Sequence, residues 1–228
     1  MKLSQTCNRR AFTLLELVVL VACLALLTAL ILPAFVRRSC ARSARINCIN
    51  NLKQIGLSYR TWALDNQDKY PMQVSVTNGG TMELINSGPA YVHFLVMSNE
   101  LSTPKILVCP DDPERINATT FSANCVPGQV PFTNDSYLSY FVGVDANPDL
   151  PNALLSGDRN LAVDNVPVRA GMQRIWTNST LTWFKPRGEH MGGGNVGLAD
   201  GSVQSLTSTR LKAALQYGGM ATNRLVIP

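Results

Sequence analysis

The feature that most constrains this chain is an apolar run at 12–36, twenty-five residues carrying one charge, Glu16. Such a run is long enough to span a bilayer, which takes about 20 residues. It is too long for the roughly 7–15-residue apolar core of a cleaved signal peptide. The small residue Ala11 precedes the run instead of following it, so the segment is expected to stay in the mature protein as a transmembrane helix. Two residues are anomalous in that setting. A charge such as Glu16 costs several kcal/mol in hydrocarbon, and Pro33 removes a backbone hydrogen bond and kinks a helix.

The charge distribution follows the run. Lys2, Arg9, Arg10, Arg37, Arg38, Arg42 and Arg45 flank it, and from residue 46 onward thirteen Lys and Arg face fourteen Asp and Glu. The net charge of +5 is therefore concentrated around the apolar segment. A nucleic-acid binder carries a basic stripe on its folded domain, so no nucleic-acid partner is expected. Positive charge on both flanks leaves orientation undecided by the positive-inside rule. The polar remainder favours an exported domain, in a compartment that permits disulfides.

Beyond residue 36 the chain turns polar without breaking. Ala41, Ala44, Cys48, Leu52, Ile55, Tyr59 and Trp62 recur every three or four residues, the period of one helix face. The helix is expected to continue to about Leu64, where Asn66, Asp68 and Pro71 end it. From 12 to 64 that makes 53 residues, roughly 80 Å. Downstream, 91–97 (YVHFLVM) suits strand or helix, and 106–108, 136–144 and 174–184 read as strands. The stretch 195–206 reads as a hairpin turning at Asp200–Gly201, and 206–216 as a short helix ended by Gly218 and Gly219. The expected fold class is α+β: a long N-terminal helix, transmembrane in its first half and amphipathic in its second, packed on a small antiparallel sheet. The expected divisions are 1–11, 12–36, 37–65 and a globular 66–228.

The six cysteines form no C-x-x-C pair, so no zinc motif is read. Cys7 and Cys23, before and within the run, are poor disulfide candidates. Three readings stay open for the others: buried thiols, a Cys48–Cys109 bridge, or a Cys109–Cys125 bridge. His190, Asp158 and Asp200 tempt an enzymatic reading. However, there is no G-x-S-x-G, H-E-x-x-H or P-loop, and two histidines in the whole chain exclude a His-rich metal centre. No enzyme activity and no cofactor are expected. A calcium site from loop carboxylates, with Asp111, Asp112, Asp158 and Asp200 as candidates, is the alternative.

The basic leader, the small residue and FTLLEL ahead of an apolar helix resemble the N-terminus of type IV pilins and type II secretion pseudopilins. The resemblance implies that a prepilin peptidase cuts between Ala11 and Phe12 and N-methylates Phe12. Glu16 is then the fifth mature residue and Pro33 the twenty-second, as in that family; Ala11 departs from its usual glycine. Glu16 would meet the new amine of a neighbouring subunit. Further segments are similar to a pseudopilin-like branch common in planctomycetes and verrucomicrobia: NCINNLKQIGL (47–57), CPDD (109–112), SYFVG (139–143), GDRNL (157–161) and HMGGGNVGLADGSV (190–203). That branch more often has D-G-H where Ser202 stands here. Major pseudopilins include members with a C-terminal calcium loop.

The resemblance implies a structural subunit of a secretion pseudopilus, polymerised with itself or other pseudopilins and served by prepilin peptidase and an assembly platform. It also implies a single-pass inner-membrane protein in contact with membrane lipid, with a periplasmic C-terminal domain, later extracted into a filament. A type IV or competence pilin is the alternative. So is a membrane-anchored periplasmic binding protein or enzyme sharing the sorting signal.

Overall fold

The computed structural model describes residues 13–124, 126–184 and 189–228, without the side chains of 30, 32–41, 189 and 191. The chain divides into two compact units, Met1–Arg42 and Ser43–Pro228. The division falls inside the first helix, α1 (Leu14–Asp65).

Among the described residues no helix is long and apolar enough to cross a membrane. This corrects two expectations, the transmembrane first half of the helix and the single-pass inner-membrane placement built on it.

The second unit is α+β. Its larger sheet runs β5 (Gly171–Trp176), β9 (Thr222–Ile227), β1 (Tyr140–Gly143), β2 (Leu154–Asp158), β7 (Gly194–Leu198), β8 (Val203–Leu206), antiparallel throughout. A smaller antiparallel sheet runs β4 (Val166–Pro167), β3 (Leu161–Val163), β6 (Leu181–Trp183). The hairpin read at 195–206 is β7–β8, with Gly201 at φ 87° in its turn, a conformation that costs glycine little.

Period-2 alternation divides the large sheet's side chains between two cores. Tyr140, Val142, Leu155 and Val226 join the cluster that includes Cys48, Leu52, Ile55, Tyr59 and Trp62 of α1. Phe141, Leu154, Val196, Leu225 and Ile227 join a second cluster with Trp183 and with Leu211 and Leu215 of α4 (Ser208–Tyr217). The central strands β1, β2 and β7 are consequently buried at every position. The stripe expected on α1 is therefore the packing face of its second half. Gly56 lies beside the hairpin turn, where a Cβ would meet Gly201 Cα at an ordinary contact distance of 3.4 Å.

Local readings fared unevenly. The segment 91–97 contains α2 (Val92–Leu95), followed by α3 (Ser98–Leu101). The strand expected at 106–108 is instead a 3-10 turn, Pro104–Leu107: Pro104 presets its first φ and the Thr103 side chain accepts from Lys105 N. The single strand expected over 174–184 is two, β5 and β6, in different sheets, separated by a turn closed by Ser179 N on Trp176 O.

His93 on α2 is fully buried, with Nδ1 2.7 Å from Thr81 Oγ1. Burial lowers its pKa from 6.5 to about 4. The neutral ring stabilises the fold above pH 6.5, and that contribution is lost as pH falls toward 4. Comparing urea unfolding of the parent and His93→Leu across this window should show the parent losing about 3 kcal/mol more.

Candidate functional site

The five internal segments singled out in the sequence meet at one buried point. Cys48 comes from α1, and Cys109, Asp111 and Asp112 from the turn after Pro104–Leu107, closed by Asp112 N on Cys109 O. Tyr140 opens β1 and faces Asp158 at the end of β2. His190 lies in the 3-10 turn Glu189–Gly192 that leads into β7, and Asn195 lies on β7 itself. Cys48 and Asp158 are 0% exposed, Cys109 1% and His190 4%.

Their polar atoms converge. The Cys48 thiol donates to Asp158 Oδ1 at 3.1 Å and sits 3.3 Å from the Tyr140 hydroxyl. Cys109 Sγ is 3.4 Å from His190 Nε2, which is 3.3 Å from Asp158 Oδ2. Asp158 Oδ2 also accepts from Asn195 N at 2.6 Å and from Asn195 Nδ2 at 3.1 Å. Behind the ring, Asp111 Oδ2 accepts from His190 N at 2.6 Å and lies 3.3 Å from Nδ1, out of line for a hydrogen bond. These contacts hold His190 at φ 48°, a left-handed conformation uncommon for residues other than glycine. One turn along α1 from Cys48, Asn51 donates to Val108 O and so ties the helix to the cysteine turn.

Electrostatics follow from this packing. Burial pushes the Cys48 thiol up. The neighbouring Cys48 side chain brings Cys109 down to about 7 against the opposing effect of burial, with His190 helping. Burial alone would lower His190, but Asp158 and Cys109 raise it to about 10. A second polar group adjoins the first. Arg159 Nε and Nη2 donate to Asp112 at 2.8 and 2.9 Å, and Nη2 reaches Glu114 at 2.7 Å. Burial works against the Asp112 carboxylate, yet Arg159 holds it below its ordinary range.

Among the described residues, the group placed to hold a metal is Cys48, Cys109, Asp158 and His190, with one donor atom from each within 4.8 Å of all the others. The four calcium candidates are not brought together. Asp111 backs His190, Asp112 pairs with Arg159, Asp158 belongs to the cysteine group, and Asp200 Oδ1 accepts from Ser202 N in the hairpin turn. Cys48 and Cys109 do meet, as free thiols; Cys125 lies outside the described residues. The absence of C-x-x-C and of further histidines concealed the group, because its donors come from four separate segments.

Ala11 and Phe12 also lie outside the described residues, and Pro33 falls within α1. Glu16 has a local partner. Its Oε2 accepts from Thr13 N and Thr13 Oγ1, both at 3.1 Å, and Glu16 N donates to Thr13 Oγ1 at 3.3 Å. This is a capping box, whose T-x-x-E signature stands in the sequence at 13–16.

No family model, no curated protein and no solved structure matches this chain.

Asp112→Ala removes a buried partner of the Arg159 guanidinium and should destabilise the protein by about 3–5 kcal/mol in urea unfolding at neutral pH. Asp112 stabilises above the ordinary carboxylate pKa, and that contribution fades as acid protonates it. The deficit of the variant should therefore shrink at low pH.

Proposed function

We propose that this chain is a structural subunit of a pilin-like filament of the pseudopilus type. It is cut between Ala11 and Phe12 and assembles through α1 with copies of itself or with related subunits. The observation that carries this reading is the exposure of apolar side chains along the start of α1: Leu14 is 82% exposed, Leu15 73%, Leu26 68% and Ile31 50%, with Val18, Val19, Val21 and Leu24 also above half. With Leu17 at 57% and Leu27 at 53%, these positions are spread around the whole helix at 100° per residue. A helix apolar all round belongs in an interior. The equivalent helices of neighbouring subunits supply one, and each added subunit buries the same surface on the next.

The second half of α1 supports the reading from the other side, because its apolar stripe is already used in the core of its own unit. Prepilin peptidase and an assembly platform are the partners this function requires. The role is not enzymatic. Cys109 beside His190 pairs a nucleophile with a base in kind, but exposures of 1% and 4% leave a substrate no approach.

Glu16 has two duties under this reading, capping α1 within its own chain and pairing with the amine at Phe12 of a neighbour. Two variants separate them. Glu16→Gln keeps a side chain that serves a capping box but loses the charge; Glu16→Leu loses both. Removing one partner of a buried ion pair costs about 3–5 kcal/mol, more than a hundredfold in each subunit contact. Both variants should stop filament formation, scored by electron microscopy of sheared material. The parent should show a methylated Phe12 by mass spectrometry. Normal filaments from Glu16→Gln would reduce Glu16 to its capping role, and a parent chain that retains Met1 and stays monomeric would overturn the function itself.

A further inference from the structure

We propose that Cys48, Cys109, Asp158 and His190 form a closed, four-coordinate zinc site that joins α1 to the sheet. The inference is independent of filament assembly. It rests on donor type, spacing, surrounding contacts and burial.

Two sulfur donors, one imidazole and one carboxylate make a borderline-soft set of the kind zinc takes in tetrahedral sites. Calcium and magnesium prefer all-oxygen shells and do not suit two thiolates. Zinc bonds of about 2.0–2.3 Å place donor atoms roughly 3.3–3.8 Å apart at tetrahedral angles. The observed separations are 3.4 Å for Cys109 Sγ to His190 Nε2, 3.3 Å for His190 Nε2 to Asp158 Oδ2, and 3.1 Å for Cys48 Sγ to the other carboxylate oxygen, Asp158 Oδ1. One donor from each residue lies within 4.8 Å of all the others, so an ion at the centre requires side-chain shifts that bring the four to bonding distance together.

The outer contacts are those that orient metal ligands. A ligating histidine commonly presents its other ring nitrogen to a carboxylate; the Asp111 carboxylate accepts from His190 N and lies 3.3 Å from Nδ1, so a small rotation of the ring or the carboxylate would bring that pair into line. The Asp158 carboxylate is held by the backbone and side-chain N–H groups of Asn195. The Tyr140 hydroxyl is placed to donate to the Cys48 sulfur. All four ligand residues are buried and all four come from the protein, which leaves no open position for a substrate or catalytic water. The site is therefore structural. Zinc binding displaces the two thiol protons into solvent, and any proton on His190 Nε2 leaves with them, so affinity rises with pH.

The test uses the full chain, expressed with zinc in the medium and purified without chelator or oxidant. Elemental analysis should find about one zinc per chain, and removing it should lower the melting temperature. Cobalt added to the stripped protein should give thiolate-to-cobalt charge-transfer absorption and tetrahedral ligand-field bands. His190→Ala and Cys109→Ser should lose the zinc; Cys23→Ser, which alters an exposed cysteine outside the group, should retain it. If the ligand variants fail to fold, cobalt spectra of the parent still decide the matter. A Cys48–Cys109 disulfide in the purified protein would overturn the proposal. So would free thiols at both positions with no zinc bound and octahedral or absent cobalt bands.

Discussion

The Asp158 carboxylate is the interaction on which the second unit depends. One of its oxygens accepts from Asn195 on β7 and faces His190; the other accepts from Cys48 on α1. Its backbone is paired with Tyr140 of β1. A carboxylate with no access to water is costly unless donors surround it, so these elements must arrive together in one register. A one-residue slip of β2 would turn Asp158 to the opposite face and leave its donors unmatched.

The next residue extends the same logic. Arg159 is almost completely buried and is met by Asp112 and Glu114, from the turn that also supplies Cys109 and Asp111. Two consecutive residues of opposite charge at the end of β2, Asp158 and Arg159, thus serve two adjacent polar groups. Between them, the segments 109–114 and 157–160 act as one structural joint. Its specificity comes from matched donors and acceptors. Breaking one member leaves another buried and unsatisfied.

Elements specified by local chemistry were legible. The stripe from Cys48 to Trp62 has the helical period, and all its members are buried. The Asp200–Gly201 turn made β7–β8 readable, and Gly218 with Gly219 marked the end of α4. Elements defined by distant partners were not. β9 sits between β5 and β1, yet nothing local to 222–227 indicates a strand inside a six-stranded sheet. β1 lies within the strand read at 136–144 from its aromatic and β-branched residues, whereas β2, buried at every position, lacks the polar alternation that marks a half-exposed strand. The segment 106–108 carries β-branched residues, but Pro104 and the Thr103 cap outweigh that preference. The T-x-x-E signature at 13–16 was present and accounts for Glu16 within its own chain.

By itself the sequence determined where α1 runs, which face of its second half is apolar, where the tight turn at Asp200–Gly201 falls and which segments carry unusual polar residues. These depend on neighbours a few positions apart, and periodicity records them. Only the tertiary structure decided that Cys48, Cys109, Asp158 and His190 share one buried point, because residues up to 142 positions apart meet there through strand pairing and helix packing. It also decided against the membrane-crossing reading of the apolar run. Hydropathy counts residues, whereas crossing a bilayer requires an apolar helix of sufficient length, and among the described residues none is long enough.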